Sequence, residues 1–99
     1  MKKIIMVTAL ITSAVFLAVA SNGNELFNKC KGCHGAAGDK PALGVSPLLK
    51  GQSKADIEMK LKGYKAGTYG GAKKSIMQSQ AGRLSDEDIA ALADYISKF

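Results

Sequence analysis

The sequence Cys30-Lys31-Gly32-Cys33-His34 places two cysteines two residues apart and a histidine directly after the second. Covalent attachment of a c-type haem requires this CxxCH spacing, because each thiol can add to one vinyl group of the macrocycle. The adjacent imidazole then lies under the iron as its proximal ligand. The motif therefore predicts one covalently bound haem c, attached through Cys30 and Cys33, with His34 as an iron ligand.

The first twenty residues have the order of a secretory signal peptide. Lys2 and Lys3 precede an apolar run, residues 4–20, which ends in the small-residue pattern Ala18-Val19-Ala20. We expect cleavage before Ser21 and export to the periplasm. The alternative is an uncleaved membrane anchor, for which an apolar run of 17 residues is short. The chain thus divides into a leader, residues 1–20, and one domain, residues 21–99.

The 79 residues after the leader are enough for one domain but few for a core of side chains alone. An interior haem would supply apolar surface around which short helices can pack. Without the two leader lysines, 12 basic residues face 8 acidic ones, a net charge of about +4. This charge favours either docking to acidic partners or plain solubility. The lysines are scattered, without a basic run or interleaved aromatics, which argues against binding to nucleic acid.

The N-terminal half of the domain predicts one short helix and a long loop. The helix is expected from Asn24 to about Gly32, with Asn22 or Asn24 as its N-cap. Residues 35–52 predict an irregular segment that wraps the haem, because they contain many residues that interrupt helices and strands. These are Gly35, Gly38, Pro41, Gly44, Pro47 and Gly51.

The C-terminal half predicts two helices separated by a glycine-rich turn, residues 67–71. The first is expected to begin after Ser53 and to end near Gly63. The second begins after Ser85 with acidic residues in its first turn and continues with an apolar stripe of Ile89, Leu92, Ile96 and Phe99. No segment shows the two-residue alternation of a strand, so the predicted fold class is all-α.

The second iron ligand is sought among the methionines, because the domain contains no other histidine. On a helix that buries Ile57, Leu61 and Tyr64, Met59 lies about 200° from Ile57 and should face solvent. Met77 follows the glycine-rich turn, where a flexible segment would allow its sulfur to reach the iron. Although methionine most often fills gaps in a core, the haem motif makes Met77 the predicted second ligand.

These features resemble the small class I cytochromes c with one haem, of the bacterial periplasmic kind. The resemblance covers residues 23–99 and implies the class I cytochrome c fold, with three to five short helices and loops wrapped around one haem. Only the haem motif is highly specific for the family by itself. The resemblance is strong because all of the segments occur in the same order along so short a chain. The segments are Gly23-Asn24-Glu25-Leu26-Phe27, Cys30-Lys31-Gly32-Cys33-His34-Gly35, Pro47-Leu48-Leu49-Lys50-Gly51-Gln52, the isolated Met77, Leu84-Ser85-Asp86-Glu87-Asp88-Ile89 and Ala93-Asp94-Tyr95-Ile96.

The resemblance also implies roles for residues around the haem. The carbonyl of Pro47, rather than that of Pro41, would accept a hydrogen bond from the free ring nitrogen of His34 and so fix the imidazole. Leu49 would line the haem. Gly23 and Phe27 would pack against the last helix near Tyr95, and the candidates for holding the propionates are Tyr64, Tyr69 and Lys73 or Lys74.

The function implied is that of a monomeric periplasmic electron carrier rather than an enzyme. Its partners would be redox proteins with acidic docking patches, such as a terminal oxidase, a cytochrome c peroxidase or a quinol–cytochrome c reductase. Lysines near the haem edge would guide brief docking, and the candidates are Lys29, Lys31, Lys50 and Lys73.

Three other classes of function use parts of the same motif. A haem enzyme or gas-binding protein would keep the CxxCH site but leave the distal face of the iron open. A thiol–disulfide oxidoreductase would use the CxxC cysteines alone, but such sites belong to a βαβ setting that this sequence does not predict. A structural zinc site needs four ligands, whereas the domain offers only Cys30, Cys33 and His34.

Overall fold

The computed structural model describes residues 22–99, and the predicted leader, residues 1–20, lies outside the described residues. Within that range the chain forms five α-helices, one short 3₁₀ turn and no strand, which confirms the all-α fold class. The helices are α1 (Gly23–Phe27), α2 (Lys31–His34), α3 (Lys54–Ala66), α4 (Lys74–Gly82) and α5 (Asp86–Ile96), and the 3₁₀ turn spans Ala42–Gly44.

Helix α5 lies at the centre of the fold, packed against both α1 and α3, while α4 packs on α3. Ile89 and Leu92 of α5 are the largest fully buried side chains among the described residues. They belong to a core that also contains residues from α1 and α3. The apolar stripe predicted for the last helix therefore faces the interior, and Phe99, which lies beyond the end of α5, also packs against this core.

Serine side chains begin the two longest helices, as the sequence predicts. Ser85 Oγ accepts a hydrogen bond from the backbone N–H of Asp88, and Asp88 Oδ2 accepts one from the backbone N–H of Ser85, at 3.0 and 3.1 Å. This reciprocal capping box occupies two of the free backbone donors at the start of α5. Ser53 Oγ accepts from the backbone N–H of Asp56 at the start of α3, at 3.1 Å.

The crossing of α1 and α5 depends on Gly23. A Cβ atom at Gly23 would lie 2.5 Å from the carbonyl oxygen of Ala91 and 2.7 Å from Cβ of Tyr95. Phe27, one turn further along α1, meets the ring of Tyr95 with centroids 5.7 Å apart. The expected packing of Gly23 and Phe27 near Tyr95 is confirmed, and it fixes the helix that leads into the CxxCH motif.

The single helix expected from Asn24 to Gly32 is wrong, because α1 ends at Phe27 and α2 begins at Lys31. The intervening residues turn through bonds of the tighter i to i+3 type: Asn28 N–H donates to the Glu25 carbonyl at 3.2 Å, and Cys30 N–H donates to the Phe27 carbonyl at 2.8 Å. The chain therefore changes direction immediately before the motif.

Helix α3 does not end near Gly63 but continues to Ala66, and Gly67 closes it in the left-handed conformation at φ 76°. Gly63 serves another purpose inside the helix. A Cβ atom there would lie 2.6 Å from Cβ of Tyr69, so its absence lets the following loop fold back onto α3.

Helix α4 was not predicted from the sequence, and the expectation of a flexible segment around Met77 is wrong. Its sequence is Lys-Ser-Ile-Met-Gln-Ser-Gln-Ala-Gly, and no side chain caps its start at Lys73. Only Ala81 of this helix is fully buried. Packing against α3, rather than local sequence preference, accounts for its formation.

Candidate functional site

One helical turn gathers the three groups of the CxxCH motif. Cys30 precedes α2 as its N-cap, and the backbone N–H groups of Cys33 and His34 both donate to the Cys30 carbonyl, at 3.2 and 3.0 Å. Cys30 and Cys33 do not form a disulfide with each other; Cys30 is half-buried and Cys33 is exposed. The His34 side chain turns inward and is buried. The motif thus presents two thiols and one imidazole at a single place.

Two cavities meet at this motif, and together they are called the crevice below. The larger cavity has a volume of about 450 Å³ and is lined by Cys30, Cys33, His34, Pro47 and Met77. The smaller shares Cys30, His34, Pro47 and Met77 and is closed by Leu49 together with core residues of α3 and α5. All six residues predicted for the site therefore line the crevice, although their positions in the sequence span residues 30–77. A volume of this size is typical of a cofactor site.

Met77 and Met59 occupy contrasting environments. Met77 is half-buried, packs against the core and lines both cavities of the crevice beside His34. Met59 is 59% exposed and lies on the solvent face of α3. The helical-face argument that placed Met59 in solvent is confirmed. The structure brings Met77 to the same cavity as His34, but on a helix rather than on a loop.

The imidazole of His34 lacks a polar contact that its burial requires. Its Nδ1 atom is buried and has no hydrogen-bond partner among the described residues. Burial also lowers the pKa of His34, because desolvation disfavours the charged form. A buried nitrogen without a partner is costly, and a neutral imidazole is the form that binds a metal. The orphaned nitrogen beside an apolar cavity fits a site built for a haem.

The Cys30 thiol does not have the electrostatics of a reactive thiol in a thiol–disulfide enzyme. Burial raises the pKa of the Cys30 thiol, the nearby Cys33 raises it further, and only Lys29 acts in the opposite direction. Reactive CxxC sites require a lowered thiol pKa. Within residues 22–99, the His, Cys, Asp and Glu side chains form no group of three or more that could hold a metal ion.

Tyrosines and lysines border the larger cavity. Tyr64, Tyr69, Lys73 and Lys74 all line it, as does Lys29. Lys31 and Lys50 are exposed but are not among its lining residues. The candidates for holding propionates therefore lie at the crevice, and two of the four candidate docking lysines do so as well.

Two features of the crevice were missed in the sequence. Lys60 Nζ donates to Gln52 Oε1 at 2.6 Å, and Gln52 Nε2 donates to the Leu48 carbonyl at 2.7 Å, which ties α3 to the loop that carries Pro47. Both Lys60 and Gln52 line the smaller cavity. Three exposed apolar residues, Leu43, Val45 and Ile76, line the larger one. No local pattern marks any of them, because each reaches the crevice only through the packing of the loop, α3 and α4 around it.

Comparison with known proteins agrees with this geometry. The sequence model of the family described as Cytochrome c matches residues 20–99. The chain belongs to the cytochrome c family. Among the relatives of this cytochrome c is the cytochrome c-553 of Nitratidesulfovibrio vulgaris, 45% identical over 101 aligned positions that cover 99% of each chain. The cytochrome c-553 of Helicobacter pylori is 43% identical and covers 97% of this chain and 96% of its own. The cytochrome c-554(548) of Halomonas halodenitrificans is 38% identical and covers 79% and 93%.

Membership of the family confirms the resemblance found in the sequence and establishes the cofactor. The protein is a cytochrome c with covalently bound haem c, for which Cys30 and Cys33 have the required spacing. The family and the names of the cytochrome c-553 relatives support a role in electron transfer by haem c. Within residues 22–99, no helix has the length and apolarity needed to cross a membrane.

Proposed function

We propose that this cytochrome c is a periplasmic electron carrier in which His34 and Met77 would both bind the haem iron. The observation that carries the proposal is that His34 and Met77, 43 positions apart in the sequence, line the same two cavities. When bound, the haem iron supplies a one-electron couple between its ferrous and ferric states. A thioether ligand opposite an imidazole tends to raise the reduction potential of such a couple.

The protein holds the imidazole in place through the motif helix and the loop that carries Pro47. The last residue of α2 is His34 itself, so the ring is positioned by the turn that also carries both thiols. Pro47 lines both cavities beside His34. The hydrogen bond expected from the His34 ring to the Pro47 carbonyl is not formed in the structure, where His34 Nδ1 has no partner among the described residues. We propose that this bond forms when haem is bound, which would satisfy the orphaned nitrogen and increase the donor strength of the imidazole.

Apolar side chains exclude water from the deeper part of the crevice. Leu49, Ile57, Leu61, Leu92 and Ile96 all line the smaller cavity. A site of low polarity favours the less charged state of a redox centre and keeps small molecules away from the iron. In this proposal no substrate is transformed, and the side chains act by fixing the geometry in both oxidation states.

Docking is proposed to use the positive charge around the mouth of the crevice. Lys29, Lys73 and Lys74 line the larger cavity, and positive charge at this edge would steer acidic patches of respiratory redox proteins toward it. The partner classes are a terminal oxidase, a cytochrome c peroxidase or a quinol–cytochrome c reductase. Raising the ionic strength should slow electron transfer to such a partner, and a rate that ignores salt would contradict the role of the lysines.

The test of the proposed ligation is the visible spectrum of the exported protein. We expect a pyridine haemochrome with two thioether links, a sulfur-to-iron band in the ferric state and little binding of carbon monoxide by the native ferrous protein. Rapid binding of carbon monoxide would show an open distal face and would support the haem enzyme or gas-binding alternative. The mass of the protein from a periplasmic fraction tests the leader: cleavage before Ser21 is expected, and a retained leader would support the anchor.

A further inference from the structure

Lys60 lies among apolar side chains on the face of α3 that borders the crevice. Ile57, Leu61 and Tyr64 line the smaller cavity from this helix, and Lys60 lines the same cavity. Their spacing is that of one helix face. Among the described residues, Lys60 is the only lysine, arginine, aspartate or glutamate that lines this cavity. A half-buried lysine at such a place requires an explanation, because an ammonium group loses hydration when it leaves the solvent.

The ammonium group of Lys60 is held by a neutral partner. Its Nζ donates to Gln52 Oε1 at 2.6 Å, and Gln52 Nε2 donates to the Leu48 carbonyl at 2.7 Å. An amide oxygen accepts this hydrogen bond without cancelling the charge of the donor, whereas a carboxylate would cancel it. Lys62 of the same helix has the second arrangement, since its Nζ lies 3.0 Å from Glu58 Oε1. The contact with Gln52 therefore fixes the charge of Lys60 without neutralising it.

A fixed positive charge beside a haem changes the balance between its oxidation states. The ferric haem has one more positive charge than the ferrous haem, so a nearby ammonium group disfavours the ferric form and raises the reduction potential. The interaction is strongest where apolar surroundings keep water away. Leu49, Leu92 and Ile96 supply such surroundings in the smaller cavity. Lysines in full contact with solvent have a weaker effect, because water and salt screen their charge.

We propose that Lys60, held by Gln52, keeps a positive charge against the haem and so raises the reduction potential above the value that the axial ligands alone would give. The inference rests on the proposed function as an electron carrier and adds to it the residue that adjusts the potential. Gln52 has two roles in this arrangement. It orients the ammonium group and, through the Leu48 carbonyl, joins that group to the loop that carries Pro47.

The test is equilibrium redox titration of the haem-loaded variants at pH 7. Lys60→Met removes the charge, and the ferric-to-ferrous ratio at a given potential should rise about tenfold, which corresponds to a potential lower by about 59 mV. Gln52→Glu keeps the lysine but places a carboxylate at its contact, so the potential should fall by a similar amount. Lys60→Arg keeps the charge and should restore the potential of the wild type.

Lys62→Met is the matched control, since it makes the same change on the same helix at a residue that lines neither cavity of the crevice. Its potential should equal that of the wild type. The sulfur-to-iron band shows whether the ligation of a variant is intact.

With the band intact, an unchanged potential in either Lys60→Met or Gln52→Glu would overturn the proposal, as would an equal shift in Lys62→Met. If Lys60→Met loses the band or does not fold, Gln52→Glu decides, because glutamate and glutamine have nearly the same shape. A wild type without a reversible one-electron couple would instead contradict the carrier function.

Discussion

The rings of Tyr64 and Tyr69 meet edge to face at the border of the crevice, with centroids 5.0 Å apart and planes at 84°. Tyr64 belongs to α3, and Tyr69 reaches it because the loop after α3 folds back over Gly63. Burial, and in second place the neighbouring Tyr69, raise the pKa of the Tyr64 hydroxyl above its ordinary value of 10.0. The packing of this pair at the crevice therefore affects how the stability of the protein changes at alkaline pH.

The folded protein should lose stability as the pH rises above about 10. A raised pKa means that the folded state holds the Tyr64 proton more tightly than the unfolded state does. Above about pH 10 the unfolded chain gains free energy by releasing this proton while the folded protein still retains it, so the free energy of unfolding falls. Urea unfolding of the ferrous protein between about pH 8 and about pH 11 measures the decline. Tyr64→Phe removes the hydroxyl and should make the curve flatter. An equally steep decline in that variant would assign the effect to another group.

Met77→Ala should keep the covalent haem but open a coordination position. We expect loss of the sulfur-to-iron band, binding of carbon monoxide by the ferrous form and a lower reduction potential, because the thioether that raises the potential is gone. Absorption spectra and equilibrium redox titration measure these changes. Met59→Ala is the matched control, since Met59 is exposed on α3, and its spectrum should equal that of the wild type. A change in Met59→Ala with none in Met77→Ala would reverse the ligand assignment.

Gly23→Ala should destabilise the fold by about 1–3 kcal/mol, the range for forcing extra atoms into a packed contact. The added Cβ would meet the backbone oxygen of Ala91 at 2.5 Å, and a backbone atom cannot move aside as a flexible side chain can. Gly82→Ala is the opposite case, because Gly82 lies in α4 with nothing within 4 Å of the Cβ position. That variant should gain about 0.5–1 kcal/mol. Chemical denaturation of both variants measures the contrast, and equal effects would refute the close approach of α1 and α5.

Ser85→Ala should cost about 1 kcal/mol of stability, because it removes the acceptor for the Asp88 N–H at the start of α5. The effect reaches the whole protein, since α5 packs against both α1 and α3. Ser75→Ala, at an exposed position in α4, serves as the control and should have little effect or a slightly stabilising one. Thermal unfolding followed by far-UV circular dichroism distinguishes them. Similar losses in both would argue against a specific role for the capping box.

The start of α5 and the cofactor of the site were predictable, because each has a strong local signature in the sequence. Ser85 and the acids after it mark a helix start in any context, and the CxxCH spacing specifies a cofactor by chemistry alone. The exclusion of Met59 needed only helical geometry. In these cases the physical information lies within a few neighbouring residues.

Helix α4, the break before Cys30 and the end of α3 were not predictable in the same way. Helix α4 has no capping side chain. A glycine is a frequent signal for the end of a helix, but Gly63 lies inside α3 and allows Tyr69 to approach. The left-handed conformation of Leu43, at φ 56°, contradicts the preference of leucine itself. Each outcome depends on contacts between segments distant in sequence, which local pattern does not contain.

The location of Met77 on α4 has a consequence for the speed of electron transfer. Shifting the Met77 backbone relative to His34 would require backbone hydrogen bonds of α4 to break, whereas a loop could move without that cost. A redox centre whose surrounding atoms move little between the ferrous and ferric states has a small reorganisation energy. Electron transfer is then fast even when the driving force is small, and its rate depends little on temperature. The stiffness of one helical turn would thus let the carrier work between partners of nearly equal potential.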